Sequence, residues 1–167
     1  DVLLPLGNGF DVSAYKSVAV IGGGVGIFPL LSVIRENYKQ KDFYSYIGFR
    51  SKSCACLLNE FEKSKTLTVT TDDGSAGVKG NAVEAFLADF GNTKPDAIIA
   101  CGPPVMLSVL KKKLAENNIN IPCYVSLEER MGCGIGACLV CVCKTSIGSN
   151  ARVCKDGPVF DINKIEL

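Results

Sequence analysis

The chain has 167 residues, 18 of them lysine or arginine and 17 aspartate or glutamate, and its net charge of +1 provides no basic field for nucleic acid. Hydrophobic residues make up 47% and charged residues 21%, which is typical of a globular chain, and no apolar run reaches the roughly 18 residues of a membrane span. We therefore expect neither nucleic acid nor a membrane among its partners.

In chain order we predict a strand at 17–22, a helix at 26–40, a strand at 42–49, a short helix at 56–63, a strand at 66–71, a helix at 81–90, a strand at 96–101, a helix at 104–118 and a strand at 121–128. The strands are short, apolar and rich in β-branched residues, whereas the helical segments have a 3.6-residue apolar period. This alternation predicts an α/β fold with a parallel sheet of five to six strands and helices on both faces.

After residue 129 glycine and cysteine dominate, and only 139–145 and 157–161 have the pattern of short strands. We expect a small loop-rich module at 130–167, attached to a larger domain at 1–129. A module below about 40 residues usually needs a metal, disulfides or a partner to hold its shape.

The nine cysteines and the absence of histidine indicate the compartment and the chemistry. An odd number excludes complete intramolecular pairing, and the opening DVLLPLGNGF has neither the basic nor the apolar region of an export signal. We therefore expect a cytoplasmic protein with reduced thiols, where clustered cysteines more often hold metal or carry out redox chemistry.

Four cysteines have the spacing of an iron–sulfur site. Cys133, Cys138, Cys141 and Cys154 follow the C-x4-C-x2-C…C arrangement of plant-type [2Fe–2S] clusters. Glycines 134 and 136 in the first gap can adopt positive φ and bring backbone N–H groups close to the sulfides. The alternative is a structural zinc site, although zinc modules usually use two pairs of closely spaced cysteines.

The remaining cysteines are interpreted as small buried hydrophobic residues. Cys143 is the ambiguous one, because in a strand it shares a face with Cys141 two positions before it. Cys54, Cys56 and Cys123 receive the same interpretation.

A glycine-rich turn joins the first strand to the first helix in VIGGGVGIFPL. Its four glycines are Gly22, Gly23, Gly24 and Gly26. Backbone amides at a helix N-terminus bind phosphate well, so the turn is a candidate nucleotide site. It does not match G-x-G-x-x-G, because Ile27 occupies the third glycine position. A tight structural turn is the alternative interpretation.

Two further loops, TTDDGSAGVKG at 70–80 and CGPPVM at 101–106, follow predicted strands. Ligands of open parallel sheets bind outside the carboxyl ends of the strands, so we expect the three loops to converge on one nucleotide. The candidate contacts on these two loops are Asp72, Asp73, Gly74, Gly102 and Pro103.

GGGVGIFPL, TTDDGSAGVKG and CGPPVM, in this order, resemble the NAD(P)-binding domain of the ferredoxin reductase family. The tail, SLEERMGCGIGACLVCVC followed by ARVCKDGPVF, resembles the electron-transfer subunits of class 1B dihydroorotate dehydrogenases. In that family the four spaced cysteines match the [2Fe–2S] ligands. The opening PLGNGFDV is similar to the family's interdomain segment, so we assign residues 1–15 to that segment.

The resemblance implies an electron relay from NADH through FAD and the cluster to an FMN-containing dihydroorotate dehydrogenase catalytic subunit, in a hetero-oligomer that serves pyrimidine biosynthesis. Members of the family carry an N-terminal FAD-binding β-barrel, and no such run of strands precedes residue 17. We therefore expect the chain to correspond to the C-terminal portion of such a subunit and to bind FAD poorly alone. The alternatives are a diaphorase subunit of a sulfide dehydrogenase, a ferredoxin:NAD(P) reductase, and a zinc-stabilised binding module.

The resemblance also places Cys101 beside the nicotinamide and flavin rings, as the candidate catalytic residue. NADPH-using relatives have a serine–arginine pair after the third strand, where this chain has Asp72 and Asp73. Two carboxylates repel a 2′-phosphate, so we expect NADH, although nearby cations such as Lys79 act against this. The alternative role of the aspartates is an Asx turn before Gly74. Finally, we expect EERMGCGIGAC to be an exposed docking edge.

Overall fold

The computed structural model describes residues 6–167, so the first five residues of the expected interdomain segment lie outside the described part of the chain. In chain order the main elements are β1 (Ser17–Gly23), α1 (Ile27–Asn37), β2 (Asp42–Phe49), β3 (Thr66–Thr71), β4 (Val78–Lys79), α2 (Ala82–Thr93), β5 (Ala97–Cys101), α3 (Pro104–Glu116), β6 (Cys123–Ser126), β7 (Val142–Lys144), β8 (Asn150–Arg152) and β9 (Val159–Asp161). Short 3-10 helices occupy Gly24–Gly26, Lys52–Cys54, Leu58–Lys63 and Ile162–Lys164.

Seven strands form the main sheet, in the order β4-β3-β2-β1-β5-β6-β9. The first six are parallel to their neighbours, and β9 pairs antiparallel with β6. The expected parallel α/β sheet is therefore confirmed. The seventh strand comes from the cysteine-rich part of the chain, whose other two strands, β7 and β8, form a separate hairpin.

Helices cover the sheet on both sides, as predicted. One core is formed by α2 and α3 packed on the sheet, with Phe86, Leu107 and Leu110 buried in it. The other contains α1, with Leu30 and Ile34 buried. Because β1 is covered on both faces, its residues Val18, Ala19, Val20 and Ile21 are all fully buried, which explains its uninterrupted apolar sequence.

Several predicted elements differ in detail from the structure. The helix predicted at 56–63 is a 3-10 helix at Leu58–Lys63, and α1 starts at Ile27, after a 3-10 turn. Strands β4 and β8 were not predicted. Each has only two or three residues and is largely polar, so pairing with a neighbour, rather than local pattern, makes it a strand.

Between residues 6 and 167, no helix combines the length and apolar character that crossing a bilayer requires.

Candidate nucleotide and iron–sulfur sites

The carboxyl ends of the parallel strands bring two of the predicted loops together. Gly22 of β1 is the register partner of Cys101 of β5, and Cys101 is the partner of Ser126 of β6. Side chains at paired positions of neighbouring strands project to the same face of a sheet. This row of three residues lies on the face that α1 covers, since Cys101 packs against the α1 core.

The glycine-rich loop touches the loop after β5 directly. A β-carbon at Gly23 would come within 2.7 Å of Met106 Sδ, and one at Gly102 would come within 2.6 Å of Met106 Cε and 3.1 Å of the Gly23 backbone nitrogen. Gly24 has φ +56°, and nothing lies within 4 Å of its β-carbon position, so this turn faces open space. Close packing and a left-handed turn therefore both require glycine here.

Cys101 is partly exposed at this edge. Burial raises the pKa of its thiol above the ordinary value, a hydrogen bond with Ser126 acts in the opposite direction, and the nearby charge of Glu128 raises it further. The residue is therefore a neutral thiol near pH 7 and a poor nucleophile. Sequence reasoning missed Ser126 and the effect of Glu128, since neither is apparent without the strand register.

The third loop follows β3, two strands further along the same edge from β1. The Asp73 carboxylate accepts hydrogen bonds from the Ser75 backbone N–H at 2.9 Å and the Ser75 hydroxyl at 2.6 Å. These bonds lower the pKa of Asp73, and Gly74 follows it with φ +75°. Asp73 therefore forms the Asx turn that the sequence offered as the alternative, while the exposed Asp72 is the better candidate for meeting a ribose.

The same loop has lysines close to it. The Lys52 backbone N–H donates to Ser75 Oγ at 2.7 Å, and the Lys79 side chain lies within 3.2 Å of the β-carbon position of Gly74. Two lysine residues therefore border the turn, and they are among the nearby cations that argued against a strict preference for NADH.

The four spaced cysteines form two pairs. The backbone N–H of Cys138 donates to Cys133 Sγ, and the backbone N–H of Cys154 donates to Cys141 Sγ, which links the four residues as Cys133 with Cys138 and Cys141 with Cys154. Cys141 and Cys154 are buried, whereas Cys138 is exposed. Each iron of a [2Fe–2S] cluster takes two protein ligands, so this arrangement of donors fits that group.

Backbone N–H groups point at these sulfur atoms. Ala137 and Cys138 donate to Cys133 Sγ at 3.2 and 3.4 Å, and Cys154 donates to Cys141 Sγ at 3.4 Å. The amides, that of Cys138 foremost, lower the pKa of Cys133 to about 6. The thiolate is the metal-binding form of cysteine, so this loop favours the form that binds iron.

The conformation of the loop follows the glycines. Gly134 and Gly136 have φ +72° and +81°, as the sequence predicted. In the part of the chain that the structure describes, no three or more histidine, cysteine, aspartate or glutamate side chains surround a single ion position.

The other cysteines divide into two groups. Cys123 is buried as predicted, and Cys143 is half-buried against Cys141 and Cys154, where burial raises the pKa of its thiol. The predictions for Cys54 and Cys56 are wrong, because both are exposed. They lie in and just after the 3-10 helix Lys52–Cys54, which belongs to neither of the two hydrophobic cores.

Two family models match the chain. Residues 20–112 match the oxidoreductase NAD-binding domain, which spans β1 to α3 and contains all three loops of the carboxyl edge. The chain belongs to the oxidoreductase NAD-binding domain family. Residues 128–166 of this family member match the iron–sulfur cluster binding domain of dihydroorotate dehydrogenase B. This second match contains all four spaced cysteines, and the resemblance stated from the sequence is confirmed.

Curated relatives carry the name "Dihydroorotate dehydrogenase B (NAD(+)), electron transfer subunit". The relative from Streptococcus mutans is 40% identical over 174 residues, with all of this chain and 66% of the relative covered. The relative from Bacillus caldolyticus is 40% identical over 176 residues, with 100% and 65% covered. This chain therefore spans just under two thirds of the length of these relatives.

Solved structures agree with the fold. A structure described as the NADH-dependent reduced ferredoxin-NADP oxidoreductase has a TM-score of 0.86 and 32% identity, and it covers 99% of this chain and 59% of its own. A flavohemoglobin from Malassezia yamatoensis, with a TM-score of 0.51 and 20% identity over 65% of this chain and 30% of its own, shares the fold alone.

Proposed function

We propose that the chain is the NAD- and cluster-binding part of the electron-transfer subunit of a dihydroorotate dehydrogenase, and that it relays electrons between NAD and an FMN-containing catalytic subunit in pyrimidine biosynthesis. The observation that carries the proposal is the arrangement of Cys133 with Cys138 and Cys141 with Cys154, each pair joined by a backbone N–H to sulfur contact, directly after the NAD-binding domain. The names of the curated relatives support it.

The residues of the chain bind and orient the redox groups, which carry the chemistry themselves. The glycine-rich loop and the N-terminus of α1 would hold the dinucleotide phosphates, as backbone amides at a helix N-terminus do. Cys101 would contact the nicotinamide, and the four cysteines would ligate the cluster. Bound there, NAD(H) exchanges a hydride with FAD, and the [2Fe–2S] cluster accepts and passes on single electrons.

The names of the relatives support a direction for the relay. Their printed name pairs the dehydrogenase with NAD(+), so we propose that electrons end on NAD+ in the assembled enzyme. This is the reverse of the NADH-to-cluster direction expected from the sequence, along the same path. FAD would be held mainly by the third of the relatives' length that this chain does not span.

The docking surface is the exposed start of the cluster segment. Arg130 and Met131 are exposed, and so is Ile135 inside the loop. Electrons must leave the cluster toward the catalytic subunit, so we propose that this edge contacts it. Reversal of charge in Arg130→Glu is expected to weaken complex formation, as measured by co-purification of the two subunits, and unchanged binding would count against this surface.

We further propose that residues 1–129 and 130–167 act as functional units, although β9 hydrogen-bonds to β6. All nine cysteines are free, which fits the reducing conditions of the cytoplasm, the compartment we propose.

The test of the function is anaerobic reconstitution of the chain with iron and sulfide, followed by EPR spectroscopy after reduction. A [2Fe–2S] signal is expected, whereas a protein that binds one zinc ion and no iron would overturn the proposal. In the FAD-loaded holoenzyme with its catalytic subunit, dihydroorotate is expected to reduce the cluster and then NAD+.

A second function rests on one comparison. The neighbour with a TM-score of 0.86 and 32% identity is described as a ferredoxin-NADP oxidoreductase, so ferredoxin is the alternative electron partner. Reduction of the holoenzyme by reduced ferredoxin, with no response to dihydroorotate and its dehydrogenase subunit, would favour this function.

A further inference from the structure

The Arg152 guanidinium connects separate segments around the cysteine pairs. It lies at the end of β8, two residues before Cys154. Its Nε and Nη2 atoms donate to the two carboxylate oxygens of Asp156 at 2.9 and 3.0 Å, and its Nη1 atom donates to the carbonyl oxygen of Gly136 at 3.3 Å. One side chain therefore joins the strand before Cys154, the turn after it and the loop of Cys133 and Cys138.

The loop lies directly on this arginine and on its neighbour. Gly136 is buried with φ +81°, and a β-carbon there would come within 2.8 Å of Lys155 Cδ and 3.5 Å of Arg152 Cδ. The next two residues, Ala137 and Cys138, donate their N–H groups to Cys133 Sγ. Through the Gly136 carbonyl, Arg152 therefore holds the segment whose backbone N–H groups donate to Cys133 Sγ.

The carboxylate partner of the arginine is itself held in place. Asp156 Oδ2 accepts the Arg152 backbone N–H at 2.9 Å, and the Asp156 backbone N–H donates to the Arg152 carbonyl at 2.7 Å. Asn8 braces the same turn, donating from Nδ2 to the Asp156 carbonyl at 3.2 Å and accepting the Val159 N–H at 3.1 Å. These hydrogen bonds restrain the Arg152 guanidinium to one orientation, although the side chain lies near the surface.

We infer that Arg152 is a positioning residue that holds the loop of Cys133 and Cys138 against the strand that delivers Cys154, so that both thiol pairs are in place before iron binds. The inference rests on the proposed function, in that these cysteines are taken as the ligands. A lysine keeps the charge but offers no planar fork, so it does not serve Asp156 through two parallel bonds and Gly136 at once. Replacing residues that orient metal ligands commonly lowers metal affinity by about 10-fold to 100-fold.

The test compares Arg152→Lys with wild type and with Arg35→Lys. Arg35 makes a similar pair with Glu60, at 3.1 Å from Nε and 3.0 Å from Nη2, between α1 and a 3-10 helix, away from the cysteines. Hydrogen exchange of the iron-free chain is measured for peptides that cover 133–138. After reconstitution, the loss of iron to a chelator is timed.

Arg152→Lys is expected to speed exchange at 133–138 while the protection of β1 and β5 is unchanged, and to shorten iron retention by about 10-fold or more. Arg35→Lys is expected to behave as wild type. Unchanged exchange and retention in Arg152→Lys, or an equal loss in Arg35→Lys, would overturn the inference. If Arg152→Lys does not fold, the same measurements are made on Asp156→Asn. This change replaces one of the two carboxylate oxygens that accept from Arg152, and the expected result is the same.

The two proposals fail separately. A wild-type chain that takes up no cluster overturns the proposed ligands, while the exchange of the iron-free chain still decides whether Arg152 holds the loop. A wild-type chain that forms the cluster, together with an Arg152→Lys variant that holds both loop and iron equally well, overturns the inference about Arg152 alone.

Discussion

Gly26 lies against the main chain of Cys101 and Gly102. A β-carbon at Gly26 would come within 2.5 Å of the Cys101 carbonyl oxygen and 2.6 Å of the Gly102 nitrogen, closer than non-bonded atoms approach. The helix that follows the glycine-rich loop can therefore start at this place only if residue 26 has no side chain. The position of the candidate catalytic cysteine and that of the candidate phosphate loop depend on each other through this contact.

Replacement of Gly26 by alanine is expected to destabilise the fold by about 1 to 3 kcal/mol and to weaken NADH binding, because the two backbone segments must separate. Urea unfolding and NADH titration of the holoenzyme measure these effects. Gly91→Ala in α2 is the control, since nothing lies within 4 Å of the added carbon, and it is expected to be neutral or stabilising by up to about 1 kcal/mol. A Gly26→Ala variant as stable as wild type would show that the loops adapt.

Serine at each of the four proposed ligand positions is expected to abolish or distort the absorbance of the reconstituted cluster, because a thiolate ligand is lost. Cys143→Ser is the matched control: this residue is half-buried beside Cys141, and its replacement is expected to leave the spectrum in place. If Cys143→Ser bleaches the protein while Cys154→Ser does not, the fourth ligand is Cys143.

In the FAD-loaded holoenzyme, Cys101→Ala is expected to slow flavin reduction by NADH while FAD remains bound, because the partly exposed thiol sits at the edge where the nicotinamide would lie. Stopped-flow absorbance at the flavin band measures the rate. The exposed Cys56 provides the control, and Cys56→Ala is expected to reduce at the wild-type rate. Equal rates for all three proteins would remove Cys101 from the site.

The two aspartates after β3 are expected to affect cofactor choice differently. Asp73→Asn retains a side-chain acceptor for Ser75 and is expected to keep the turn, whereas Asp72→Ser removes an exposed negative charge. Asp72→Ser combined with Asp73→Arg is expected to raise the efficiency of hydride transfer from NADPH relative to NADH. Equal use of both cofactors by the unmodified holoenzyme, or no gain in the double variant, would show that these carboxylates do not set the preference.

We expect the burial of Tyr46 to make the protein less stable at high pH. Tyr46 is fully buried, donates to Asp89 Oδ2 at 2.8 Å, and has its pKa raised to about 12, chiefly by burial. The folded protein disfavours the phenolate. The contribution of Tyr46 to the free energy of unfolding is therefore fully present below the unfolded pKa of about 10 and is lost as the pH rises through 12. Denaturant unfolding at pH 8 and pH 11 is expected to show a smaller decrease for Tyr46→Phe than for wild type. The exposed Tyr38 is the control, and a wild-type decrease no larger than that of Tyr46→Phe would contradict the assignment.

Local sequence patterns were sufficient for the central strands. Strands β2 and β3 have the predicted bounds, and β1 and β5 differ from theirs by one residue. β1 is apolar because it is covered on both faces, whereas β3 is only partly buried and is recognised by its β-branched residues. The positive φ of Gly134 and Gly136 followed from their places between two spaced cysteines. The family resemblance was likewise contained in short contiguous motifs.

Contacts between distant segments were not contained in any local pattern. The row of Gly22, Cys101 and Ser126 depends on the order of parallel strands, and the pairing of β9 with β6 depends on how the chain returns after the cysteines. The exposure of Cys54 and Cys56 depends on where their segment lies relative to the two cores. Sequence by itself determined the order of the main elements and which residues are candidates for the chemistry. Only the tertiary structure decided which of them meet, because strand register and packing join residues that are far apart in the chain. Those contacts depend on how the whole fold buries its apolar residues, which no short segment contains.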